Sequence, residues 1–158
     1  MRIIFLYALL VPLVSLVFAF VHTSMAQARD SRIEARVIRV IDGDTIQVEA
    51  QPWPGMRIDA RIRLPDIQAP ETFRPSCEAE RLKGEAATEW LRDRLEGQTV
   101  WLSNIRTGKF GGRFIAHVHD QAGDVASALI TAGIAAPWDG RTANKPSFCQ
   151  VSNRDNTN

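Results

Sequence analysis

The chain has 158 residues, a formal net charge of +1 and two cysteines, and it shows no internal repeat or low-complexity run. Setting aside an apolar N-terminal segment of 28 residues leaves about 130, enough for one domain around one core. Arg2 is the only charge in that segment; without it 18 basic face 18 acidic side chains. A chain with no net positive field is not a tight, sequence-blind DNA binder, so its affinity for nucleic acid is expected to be modest and local.

Residues 3–21 are uncharged, and Ser24-Met25-Ala26-Gln27-Ala28 offers small residues at cleavage spacing. Residues 1–28 read as a secretory signal peptide cut after Ala28 or Ala26. An uncleaved anchor facing outward is the alternative, since the run approaches spanning length. Either reading puts the domain, residues 33–150, outside the cytosol, in the periplasm or secreted. Residues 151–158 read as a polar, disordered tail.

The first strand is expected from about Glu34 to Ile41, with Val37, Ile38, Val40 and Ile41 apolar. Asp42-Gly43-Asp44 then turns the chain into a second strand, Thr45 to Val48. Gln51-Pro52-Trp53-Pro54-Gly55 is turn material, with Trp53 as a capping hydrophobe. From Arg57 to Leu64 the alternation is strict. Ile58, Ala60, Ile62 and Leu64 share one face, and Arg57, Asp59, Arg61 and Arg63 share the other, the period of a half-buried strand.

Glu78 to Leu95 repeats Ala79, Leu82, Ala86, Trp90 or Leu91, and Leu95 at helical spacing, with Gly97 as the stop. Thr99 to Leu102 is a fourth strand, and Arg113 to His119 a fifth, reached through a glycine-rich loop. A second helix, Val125 to Ala132, ends at Gly133 and turns Ala128, Leu129 and Ala132 inward. Five strands, with helices after the third and fifth, predict an α+β fold: a five-stranded Greek-key barrel of the OB type with two to three helices.

Two carboxylates at a turn, an arginine strand and Glu71 beyond it can meet at one end of such a barrel. Acidic groups suit a hard cation and arginines suit phosphate oxygens, a pairing that points to phosphoryl transfer. An even cysteine count in an exported chain favours a Cys77–Cys149 disulfide tying the loop after Glu71 to the C-terminal segment. Two free buried thiols are the alternative; without a nearby histidine pair the cysteines make a poor zinc site.

Asp42-Gly43-Asp44-Thr45, the Ile62-Arg63-Leu64 strand running into Ala69-Pro70-Glu71, and Gly112-Arg113-Phe114-Ile115-Ala116 occur here in a familiar order. From about Ala35 to Trp138 the chain resembles the staphylococcal nuclease (thermonuclease) family. The resemblance implies the same barrel and an exported, calcium-dependent phosphodiesterase cutting DNA or RNA with little sequence preference. It implies Arg63 and Arg113 on the phosphate, Glu71 on the attacking water, and one weakly bound calcium ion. The ion's ligands would be Asp44 directly, Asp42 through the outer shell, Gln68 and the Ala69 carbonyl. Lys109, Phe110 and Trp138 are the expected nucleotide contacts, and a monomer without stable membrane association is expected once the signal is removed.

Two positions depart from the family pattern. Gln68 stands where the family carries a second calcium-binding aspartate, which weakens calcium binding; Asp66 is the alternative carboxylate. One extra glycine precedes Arg113, and the base-bracketing tyrosines are absent. Trp138 stands in their region, either stacking on a base or closing the barrel. Arg57 and Arg61 read as a solvated face, and His117 and His119 receive no role. The rival reading is a catalytically weak module of the same fold that binds nucleic acid or a protein partner in the cell envelope.

Overall fold

The computed structural model describes residues 32–109 and 111–149; the expected signal peptide, the tail 151–158 and Phe110 lie outside them. In chain order the elements are β1 (Ile33–Asp42), β2 (Thr45–Trp53), β3 (Met56–Arg63), β4 (Ile67–Gln68) and α1 (Glu78–Leu95). They continue as β5 (Thr99–Thr107), β6 (Arg113–Asp120), β7 (Gly123–Asp124), α2 (Val125–Thr131) and β8 (Ala136–Pro137). Strands β1, β2 and β3 form an antiparallel meander, and β5 pairs antiparallel with both β1 and β6. A parallel pairing of β3 with β6 closes these five strands into a mixed barrel, the OB-type α+β fold expected.

Alternation fills the barrel. Val37, Ile46, Val48, Ile62, Leu64, Val100, Leu102 and Val118 are all buried, and Leu91, Leu95 and Leu129 from the helices join the same core. Burying such side chains fully contributes roughly 1.5–3 kcal/mol each, so this core is a main source of the domain's stability.

Several faces differ from expectation. In β1, Val37 pairs with Val48 but Arg39 with Gln47, so Ile38 is an extra residue in a bulge. The bulge lets Val37 and Val40 both point inward and leaves Ile38 43% exposed, not in the core. Strand β2 continues through Trp53, which pairs with Met56 across a turn at Pro54-Gly55, where Gly55 takes φ 80°. Trp53 is 72% exposed there and caps nothing. Strand β5 runs on to Thr107, past the expected end at Leu102.

Helix α1 has the expected ends, and Leu91 and Leu95 face inward as expected, but its N-terminal half turns a different face to the core. Glu80, Gly84, Ala87, Leu91 and Leu95 are buried, whereas Leu82 is exposed. A Cβ on Gly84 would sit 2.8 Å from both the Pro70 carbonyl oxygen and Thr72 Cγ2. The helix therefore approaches the loop around Glu71 at a point only glycine allows. In α2 the buried residues are Val125, Ala126 and Leu129; of the other residues expected inward, Ala128 is half-buried and Ala132, the C-cap, is exposed.

The Cys77–Cys149 disulfide forms, with Cα atoms 5.8 Å apart, and closes a separation of 72 residues. Cys77 is also the N-cap of α1, its sulfur accepting from the Glu80 N–H.

Candidate active site

The site begins at the turn between β1 and β2. Asp42 Oδ1 accepts from the Asp44 N–H at 3.0 Å, an Asx turn. A Cβ on Gly43 would lie 2.8 Å from the Cβ atoms of both Ala69 and Ala87, so the turn is wedged between the β4 region and α1. That wedging buries Asp44 to 4% exposure. Its Oδ1 accepts from Thr45 Oγ1 at 3.0 Å and is ion-paired with Arg63, while Oδ2 accepts from the Ala69 N–H at 3.3 Å.

Arg63 reaches Asp44 because Thr45 and Arg63 are register partners across β2 and β3. Its Nη2 donates to the Ile67 carbonyl and to Gln68 Oε1, both at 3.2 Å. The guanidinium also lies over the Trp138 ring, 5.8 Å from its centroid. Trp138 is fixed in turn by its backbone N–H on the Asp66 carbonyl at 3.0 Å and by Nε1 on the Arg141 carbonyl at 2.8 Å.

Gln68 is buried with both ends of its amide assigned by their partners. Its oxygen accepts from Arg63, and Nε2 donates to the Ala69 carbonyl at 2.8 Å and to Glu71 Oε1 at 3.2 Å. Glu71 Oε1 also accepts from Lys145 Nζ at 3.1 Å. Behind Glu71, buried Glu80 accepts from the Ser76 N–H at 2.6 Å and from the Glu71 N–H at 3.5 Å. Burial opposes its charge, yet those amide hydrogen bonds hold the carboxyl below its ordinary value. Arg113 enters from β6, its backbone in register with Arg61 on β3.

All the expected catalytic and metal residues, with Trp138, line one open cleft of about 220 Å³. Thr45, Thr72 and Lys145 line it as well. Lys109 is exposed and outside this lining, and Phe110 lies outside the described residues. Asp66, with φ 60°, is exposed and lines an adjoining cleft instead. His119 Nε2 lies 3.3 Å from Ser103 Oγ and His117 Nδ1 lies 3.8 Å from Asp124 Oδ2, neither lining the cleft.

Burial, with the Asp44 charge beside it, pushes the Asp42 carboxyl up to about 6. Among the described residues no three His, Cys, Asp or Glu side chains cluster as a metal centre. The converging donors are nevertheless all oxygen: the carboxylates of Asp42 and Asp44 and the Ala69 carbonyl. That chemistry fits a hard cation, which would relieve the carboxylate repulsion. The Gln68 oxygen is engaged by Arg63, and its NH₂ group faces the Ala69 carbonyl and Glu71.

Sequence reasoning missed Glu80 and Lys145. Glu80 sits at the third position of α1, the acidic position of a capping box, which was the available signal. Lys145 lies four residues before Cys149, and Glu71 six before Cys77, so the expected disulfide already brought them near each other.

Residues 61–154 match the family described as staphylococcal nuclease homologue, a span that includes Arg63, Glu71 and Arg113 and starts after Asp44. Two Escherichia coli proteins called uncharacterized endonuclease, one from O157:H7, are 32% identical to this chain over 104 residues. That alignment covers 65% of this chain and 60% of each relative. A thermonuclease of Staphylococcus intermedius is 31% identical over 115 residues, 70% of this chain and 65% of that protein. The chain thus spans less than two thirds of the length of these relatives.

Proposed function

The chain belongs to the staphylococcal nuclease homologue family, and from that premise we propose that it is an exported phosphodiesterase that hydrolyses DNA or RNA with calcium as its cation. The observation that carries this reading is the single cleft joining Arg63, Arg113 and Glu71 to an oxygen donor set. The relatives named endonuclease and thermonuclease support it. The disulfide supports an oxidising compartment, in keeping with the apolar segment 1–28 as an export signal.

In this reading the substrate phosphate lies between Arg63 and Arg113. Arg63 is already held by the Ile67 carbonyl and Gln68, so its fork loses little freedom when a phosphate oxygen arrives. Water adds to phosphorus in line with the leaving sugar oxygen. Glu71 takes a proton from that water, the P–O bond breaks, and the departing oxygen is protonated from solvent. Charge grows on the equatorial oxygens at the transition state, where each arginine is worth roughly 3 kcal/mol. A calcium ion held by Asp42, Asp44 and the Ala69 carbonyl would add neutralisation of the phosphate charge, weakly bound because Gln68 brings no charge.

One observation favours the rival reading of a non-cutting binding module: Arg63 and Glu71 are both already ion-paired internally, with Asp44 and Lys145. Incubating the purified protein with single-stranded DNA and with RNA, in calcium and in chelator, separates the two. Cleavage in calcium that stops on chelation supports the nuclease. Binding without cleavage in either condition supports the module.

A further inference from the structure

The cleft holds three formal negative charges, on Asp42, Asp44 and Glu71, and three positive ones, on Arg63, Arg113 and Lys145. Without Lys145 the lining would be net acidic, in a domain with no surrounding basic field to draw in a polyanion. We propose that Lys145 is a phosphate-binding residue of this cleft, delivered by a C-terminal segment that the Cys77–Cys149 bridge holds in place. The inference rests on the nuclease reading above and adds to it a substrate contact and the device that supplies it.

The segment has almost no core of its own. Every residue from Asp139 to Lys145 is exposed. Its internal ties are local: the Lys145 N–H on the Thr142 carbonyl at 3.3 Å and Asn144 Nδ2 on Asp139 Oδ2 at 3.1 Å. What fixes it against the domain lies at its ends. Trp138 is bonded to Asp66, and Cys149 is bridged to Cys77, with Lys83 Nζ donating to the Phe148 carbonyl at 3.0 Å nearby. Cys77 is in turn the N-cap of the helix whose Glu80 holds the Glu71 backbone. The bridge therefore ties the Lys145 segment to the loop that carries Glu71.

At its present position Lys145 Nζ meets Glu71 Oε1, and both side chains are 41% exposed. An ion pair so open to water is weak and easily exchanged. A phosphate entering between the arginines gives the ammonium a new acceptor, and the move frees Glu71 Oε1 to take a proton from water.

The test measures binding and cleavage of a short single-stranded DNA oligonucleotide across a salt series. Proteins compared are wild type, Lys145→Ala and Lys145→Arg, each with the bridge intact and in a Cys77→Ser/Cys149→Ser background. Lys145→Ala should raise Kd and KM about tenfold, the loss of one charged hydrogen bond, with kcat changed less than about threefold. It should flatten the logarithmic salt slope by about 0.7, the loss of one phosphate contact on a single strand. Lys145→Arg should recover most of the affinity. Opening the bridge should reproduce the loss in wild type, and Lys145→Ala should add less than about twofold in that background. Lys145 is exposed, so its variants decide the residue's role even if the serine pair proves too unstable to assay.

Wild-type affinity and salt slope in Lys145→Ala would overturn the proposal. So would faster turnover at unchanged affinity, which would make Lys145 a brake on Glu71. An equal loss with and without the bridge would overturn the delivery by the disulfide. Wild type that neither binds nor cuts the oligonucleotide would overturn the nuclease reading itself, an outcome distinct from the others.

Discussion

At one end of the cleft Asp42, Asp44 and Arg63 sit on barrel strands and their immediate turn; at the other, Glu71 and Lys145 sit on connecting segments. The Arg63–Asp44 pair is 17% and 6% exposed, and the Lys145–Glu71 pair 41% on each side. At the buried end desolvation dominates, as the raised Asp42 carboxyl reports, and strand register holds the partners together. At the open end water screens the charges, and position comes from a covalent bridge and from Glu80. The buried end is held by strand register, while the open end carries the groups that, in the proposed mechanism, exchange partners as substrate enters.

Removing the bridge should have the largest effect and should fall on the open end. In the chain-entropy account, closing a separation of 72 residues stabilises the fold by about 4 kcal/mol. Urea unfolding of Cys77→Ser/Cys149→Ser should show a loss of that order, while Asp42 titrates as in wild type. A shift in the Asp42 titration would show that the two ends are not independent.

Arg63→Ala strikes the buried end. It strands a buried carboxylate, so a stability loss of about 3 kcal/mol is expected in calcium-free buffer. A loss below about 1 kcal/mol would mean that water or backbone donors already carry the Asp44 charge.

Asp42→Asn should act in the opposite direction. The folded carboxyl titrates near 6 against an ordinary 3.8, so this group's contribution to stability is full below about pH 4 and is lost as pH rises through 6. Asparagine keeps the acceptor for the Asp44 N–H and removes the charge. The variant should gain about 3 kcal/mol above pH 6, and most of the gain should be gone by about pH 4. Thermal unfolding at the two pH values gives the answer, and a gain independent of pH would rule out the charge as its cause.

Gln68→Asp carries the smallest expected effect. A fourth carboxylate in the cleft, beside Glu71, should lower stability without calcium and tighten calcium binding about tenfold, near 1.4 kcal/mol. Calorimetric titration reads it; unchanged calcium affinity would mean that the missing charge is not what limits the site.

The sequence made the buried end readable. Strict alternation from Arg57 to Leu64 assigned a strand, and the order of Asp44, Arg63, Glu71 and Arg113 pointed to one cleft. Faces set by partners were harder to see. Ile38 faces out because β2 pairs around it, and nothing local to β1 marks that bulge. In α1 hydrophobicity correctly points Leu91 and Leu95 inward but misplaces Leu82, the larger hydrophobe of the first turns, which is exposed. Gly84 and Glu80 turn inward instead, one to admit the loop and the other to bond it. Lys145 belongs to a polar segment without periodicity, and its meaning depends on a bridge to a residue far away in the chain.

If the cleft performs hydrolysis with Glu71 as its base, Glu71→Gln removes that chemistry and little else. The amide keeps the size of the side chain and one oxygen for Gln68 and Lys145, but it cannot take a proton from water. Turnover and oligonucleotide binding should be measured for wild type and variant at one fixed salt and calcium concentration. Affinity should be at least that of wild type, since a cleft carboxylate is removed and Lys145 is released, while kcat should fall at least about a hundredfold, near 3 kcal/mol of barrier. Equal turnover in the two proteins would leave Glu71 as part of a binding surface and not a base.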